Sequence, residues 1–103
     1  MTNNKSMERL YFEYAASQPI TQRAHVGVVG SGDLEVLLEP SPDQKTHVTV
    51  TTSVDGFGKT WKLVMDRFFS RYQYAASIEI HDFGATPGVL ALRLEQAVER
   101  SQS

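Results

Sequence analysis

The spacing of apolar residues first changes near Phe57, and that change limits the folds open to this chain. Before Phe57 the apolar residues alternate in short runs. Leu10 to Tyr14, His25 to Val29, Leu34 to Glu39 and His47 to Val54 read as strands, the third with Leu34, Val36 and Leu38 on one face. From Phe57 the period lengthens, and Trp61, Val64, Met65, Phe68 and Tyr72 recur at three- and four-residue intervals. That pattern predicts one amphipathic helix of about four turns. Ser77 to His81 alternates again, and Asp82-Phe83-Gly84-Ala85 turns the chain. Thr86 then suits a helix N-cap, with Pro87 at the first helical position where its missing N–H is harmless. Leu90, Leu94, Ala97 and Val98 form the stripe of this second helix, and Leu92 falls off it.

The predicted order is β-β-β-β-α-β-α. Two amphipathic helices need one apolar surface, and the strands supply it. The economical solution is an α+β fold in which a mostly antiparallel sheet carries both helices packed on one face. A chain of 103 residues fits a single domain spanning 1–103, with the polar ends 1–6 and 100–103 expected as flexible tails. Gly30-Ser31-Gly32-Asp33 links the second and third strands and reads as a hairpin connection. Pro40-Ser41-Pro42-Asp43-Gln44 reads as a plain loop.

Charge and composition remove several classes of function. The formal net charge of −2 scatters ten Lys and Arg among twelve acids, which is not the basic face that nucleic acid requires. No apolar run reaches the roughly 18–20 residues that span a bilayer, so no direct membrane insertion is expected. The N-terminus carries no basic-then-apolar signal segment, and the cytoplasm is the expected compartment. With no cysteine there is neither disulfide, nor thiolate metal site, nor thiol nucleophile.

Few constellations remain that could do chemistry. A nucleophile elbow around Ser31 would need glycine at positions 29 and 33, which hold Val29 and Asp33. Gly30-Ser31-Gly32 opens like a dinucleotide fingerprint, but Glu35 stands at the third glycine position and a strand follows instead of a helix. His25, His47 and His81 are widely separated and read as surface histidines, with no metal site. Glu35 with Glu39, or Asp82 with Glu95, pair only on paper, and such carboxylates are expected to be solvated. The Trp61 to Tyr72 stripe reads as core. Ser31 remains, presented between two glycines but not activated, and on spacing alone a plain Gly-Ser-Gly turn accounts for it better.

At these residues the chain resembles the acyl carrier (delta) subunit of malonate decarboxylase. The carrying segments are Val28 to Leu37, Thr51 to Asp55, Trp61, Ile80 to Val89, and Arg93-Leu94-Glu95-Gln96, so the resemblance spans about Val26 to Gln96. It implies that Ser31, flanked by Gly30, Gly32 and Asp33, is joined through a phosphodiester to a 2'-(5''-phosphoribosyl)-3'-dephospho-CoA arm. It also implies that the chain is a non-catalytic carrier of acetyl and malonyl thioesters. The implied partners are the transferase and decarboxylase subunits of malonate decarboxylase, a prosthetic-group transferase and a malonyl acyltransferase. Glycines beside the serine would give the modifying enzyme clearance, and that enzyme would supply the base. The competing reading is a small α+β interaction subunit that never receives an arm, and a Ser31 hydrolase stands behind it.

Overall fold

A computed structural model describes residues 8–30, 32–52 and 58–102. Strands β1 (Glu8–Ala15), β2 (Gln18–Pro19), β3 (Ala24–Gly27), β4 (Leu34–Pro40) and β5 (Lys45–Thr52) precede helix α1 (Gly58–Arg71). Strand β6 (Tyr74–Asp82) and helix α2 (Pro87–Ser101) complete the chain. The strands form one sheet in the order β1-β5-β6-β4-β3, with the two-residue β2 pairing the start of β6.

The α+β architecture matches the expectation, with one refinement at the centre of the sheet. Three pairs, β1–β5, β3–β4 and β4–β6, are antiparallel, but β5 and β6 run parallel. The cause is α1, which stands between β5 and β6 in the chain. A parallel neighbour can be reached only by a crossover, and a helix is the usual crossover. The sheet is therefore mixed. The short β2, with only Gln18 and Pro19 paired, carries no periodicity by which a sequence could reveal it.

Alternation along each strand sets which residues face the helices. Leu34, Val36 and Leu38 of β4 are buried, as are Thr46, Val48, Val50 and Thr52 of β5 and Ala76, Ile78 and Ile80 of β6. The register aligns them in rows, with Val50 opposite Ile80 and Ile80 opposite Val36. From the other side, α1 contributes Met65, Phe68 and Phe69, and α2 contributes Leu90, Leu94, Ala97 and Val98. Burying each of these larger aliphatic side chains is worth about 1.5–3 kcal/mol, which holds both helices to one face. Leu92 is 49% exposed, as its place off the stripe requires.

On α1 the buried stripe runs through Met65, Phe68 and Phe69, with Trp61, Val64 and Tyr72 partly buried at its margin. Phe69, which the sequence reading omits, follows Met65 by one helical turn and stacks on Tyr14 at 4.9 Å. The Tyr14 hydroxyl donates to Asp66 at 2.8 Å and ties this helix to β1.

The start of α2 forms as expected. Thr86 has an extended backbone, and its hydroxyl accepts the Val89 N–H at 3.2 Å. Its end does not: residues 100–102, expected in a flexible tail, continue the helix to Ser101, which is fully buried. The Ser101 hydroxyl donates to the Val98 carbonyl at 2.7 Å, and its own carbonyl receives the Thr21 hydroxyl. These bonds make the polar end of the chain part of the fold. Residues 1–6, the other expected tail, lie outside the described residues.

Candidate functional site

The segment joining β3 to β4 is built from the β4–β6 ladder outward. Leu34 pairs with Asp82 at the end of that ladder. Two further backbone bonds extend it: Phe83 N–H donates to the Asp33 carbonyl at 3.0 Å, and Gly32 N–H donates to the Phe83 carbonyl at 2.8 Å. Asp33 N–H returns to the Gly30 carbonyl at 3.1 Å, and Gly32 takes φ +80°. The Asp33-to-Gly30 bond closes a turn, and the positive φ of Gly32 is one that favours glycine. Ser31 itself lies outside the described residues.

The two glycines of the turn have different physical reasons. Gly32 is required by its backbone conformation, and a Cβ there would meet nothing within 4 Å. Gly30 has no such constraint, since a Cβ there would make only an ordinary 3.8 Å contact with Val28 Cγ2. Upstream, β3 stops at Gly27, two residues before the end expected for this strand. Val28 and Val29 leave the sheet and are 60% and 59% exposed, an apolar pair beside the turn.

Asp33 fastens the turn to α2. The Arg93 guanidinium donates to its carboxylate twice, from Nη2 to Oδ2 at 2.8 Å and from Nε to Oδ1 at 3.2 Å. Leu34 N–H adds a 2.7 Å bond to Oδ1. Hydrogen bonding from Arg93, then from Leu34, holds the Asp33 carboxyl below the ordinary aspartate range. Because the shift is downward, the attraction is complete above that ordinary range. It is lost only as pH falls through the depressed folded value.

Asp82 supports the turn from below. It is 2% exposed, its Oδ1 accepts the Ala85 N–H at 2.9 Å, and its Oδ2 accepts the Thr52 hydroxyl at 2.8 Å. The expectation of a solvated carboxylate fails here because position 82 falls on the inward face of β6. There Asp82 stabilises the 83–85 bend that carries the Phe83 carbonyl. Asp82→Ala takes an acceptor from each of two buried donors and is expected to cost about 1–3 kcal/mol. Urea unfolding of the purified variant checks it.

Glu35 also departs from expectation. His25 and His81, though far apart in sequence, meet on this one carboxylate: His25 Nε2 lies 2.8 Å from Oε2, and His81 Nδ1 lies 2.9 Å from Oε1. The register explains it, because Glu35 is opposite both Gly27 and His81. Bonding from His81 lowers the Glu35 carboxyl below its usual range, against the opposing effect of burial. His47 instead contacts Asp43 at 2.9 Å, and Glu95 accepts a long bond from the Tyr72 hydroxyl at 3.4 Å. Glu39 is exposed. Among the described residues no three His, Asp or Glu side chains are arranged to hold a metal ion.

The profile of the malonate decarboxylase delta subunit family matches residues 21–101. The chain belongs to that family. The malonate decarboxylase acyl carrier protein of Azotobacter vinelandii is 55% identical over 94 residues, covering 90% of this chain and 95% of that protein. The protein of the same name from Pseudomonas aeruginosa (strain PAO1) is 54% identical over 96 residues, covering 92% and 97%. Among solved structures, a chain of a Pseudomonas malonate decarboxylase hetero-tetramer in complex with malonate is similar with a TM-score of 0.85. It is 54% identical and covers 91% of this chain and 98% of that one. The matched family segment contains the turn, Asp82 and Arg93. No helix among the described residues is long and apolar enough to cross a membrane.

Proposed function

We propose that this chain is the acyl carrier subunit of a malonate decarboxylase, bearing a 2'-(5''-phosphoribosyl)-3'-dephospho-CoA arm on Ser31. The observation that carries this reading is the family match through the Gly30–Asp33 turn, together with relatives named as malonate decarboxylase acyl carrier proteins. The local geometry suits a bulky attachment. The space beside Gly32 is open, Gly30 adds no side chain, and the turn is held at both Asp33 and Phe83.

The chain's own residues supply a nucleophilic oxygen and a fixed platform. In attachment the Ser31 oxygen forms a bond to phosphorus of the triphosphoribosyl precursor, pyrophosphate leaves, and the hydroxyl proton passes to a base. Asp33, the neighbouring carboxylate, is engaged by Arg93, so that base belongs to the prosthetic-group transferase. Val28 and Val29 offer that enzyme an apolar contact beside the serine. When bound, the arm supplies a thiol that holds acetyl and malonyl groups as thioesters. The carrier performs no bond-making on them and tethers them at roughly millimolar effective concentration near each active site. Its partners are then the transferase and decarboxylase subunits and a malonyl acyltransferase, in the cytoplasm.

Intact-mass analysis of the subunit purified from its own cells grown on malonate tests the reading. A mass increment equal to the phosphoribosyl-dephospho-CoA group, localised to the Ser31 peptide, is expected. A wholly unmodified chain would instead identify an interaction subunit without an arm.

A further inference from the structure

We propose that Arg93 is a positioning residue for attachment of the arm, acting from α2 through Asp33 on the turn that contains Ser31. The proposal rests on the reading of Ser31 as the attachment site. Asp33 and Arg93 are 60 positions apart in sequence, yet they form a two-bond fork with side chains 19% and 26% exposed. A guanidinium that meets a carboxylate at two atoms fixes direction as well as distance, which a single ammonium contact does not. The Gln96 amide oxygen accepts from Arg93 Nη1 at 3.0 Å and holds the plane of the fork, one helical turn along α2. Leu90, Leu94 and Ala97 of that helix are fully buried, so the fork projects from a rigid support. This gives the Arg93-Leu94-Glu95-Gln96 segment a purpose beyond helix formation: Arg93 grips, Gln96 orients and Leu94 anchors.

Without the fork the turn keeps its backbone bonds to Phe83, but the Asp33 carboxylate retains only the Leu34 N–H. The turn can then rotate about the end of the ladder. An ion pair that is still partly exposed adds only modestly to global stability, so the loss falls mainly on orientation of the turn. A misplacement of about one ångström at a reacting group can slow a step by roughly a hundredfold.

The test uses the purified full-length apo-subunit, its prosthetic-group transferase and the triphosphoribosyl-dephospho-CoA precursor, with loading followed by intact mass. Arg93→Gln and Asp33→Asn are each expected to slow loading by about ten- to a hundredfold. The double variant should be no slower than either single one, because both changes break one interaction. Amide exchange at Gly32 and Leu34 should accelerate in Arg93→Gln, while the unfolding midpoint stays near that of the wild type. Arg93→Lys, which keeps the charge and loses the fork, should load at an intermediate rate, and it serves as the test if the glutamine variant does not fold. Wild-type loading by Arg93→Gln or Arg93→Lys overturns the proposal. So do additive losses in the double variant, which would place Arg93 against the transferase instead. A wild-type chain that accepts no adduct overturns the carrier reading itself, and the proposal falls with it.

Discussion

Ser31→Ala is expected to abolish the covalent adduct completely, and a malonate decarboxylase reconstituted with it should release no carbon dioxide from malonate. The effect is all-or-none because, on the proposed function, the arm is attached through the serine oxygen, and alanine has no atom that can replace it. Tethering cannot be restored by adding free thioester at ordinary concentrations, since the linked acyl group stands at roughly millimolar effective concentration beside each active site. Intact mass and release of labelled carbon dioxide read the two halves of the prediction. The unfolding midpoint, measured alongside, separates lost attachment from lost fold. An adduct persisting on the alanine variant would move the attachment elsewhere and remove the central assignment. Gly30→Ala is a control for the fold alone, because its methyl meets only Val28 Cγ2 at 3.8 Å and should leave the unfolding midpoint unchanged.

The second large effect is structural and lies at Gly27. This residue has φ +83°, and a Cβ built on it would fall 2.0 Å from the Leu34 carbonyl oxygen. That obstacle is backbone, so no side-chain rearrangement relieves it. Gly27→Ala must spread β3 from β4 at the point where β3 ends, opposite Glu35. A loss of about 3 kcal/mol or more is expected from the left-handed backbone and the clash together. For a domain of this size that is a fall of roughly 12 °C or more in unfolding midpoint. Because the same two strands frame the Ser31 segment, the variant should also load poorly at temperatures where it remains folded. A thermal scan within 2 °C of wild type, taking about 4–8 °C per kcal/mol, would mean that the β3–β4 junction yields far more easily than its geometry allows.

The connection between β3 and β4 was legible in outline because turn chemistry is local. A serine between two glycines, followed by aspartate, marks a turn from one strand to the next whatever surrounds it. What Asp33 does was not legible, because its partner Arg93 comes from another element and no spacing rule links the two positions. His25 and His81 illustrate the same limit. They read as independent surface residues, yet strand pairing brings both to Glu35, which sits on the strand between them. Asp82 was misjudged for a related reason. Its alternation along β6 points inward, but only the neighbouring strand reveals Thr52 as a partner that makes burial of a carboxylate tolerable.

By itself the sequence determined every element but β2, with most of the buried faces: the period of two before Phe57 and again at Ser77 to His81, the period near 3.6 in the two helices, and the Thr86-Pro87 start of α2. These follow from backbone geometry, which repeats every two residues in a strand and every 3.6 in a helix regardless of the rest of the chain. Only the tertiary structure decided that β5 and β6 run parallel, that the chain end is helical and buried at Ser101, and that α2 grips the turn through Arg93. Those outcomes depend on contacts between residues distant in sequence, and local periodicity carries no information about which distant partners meet.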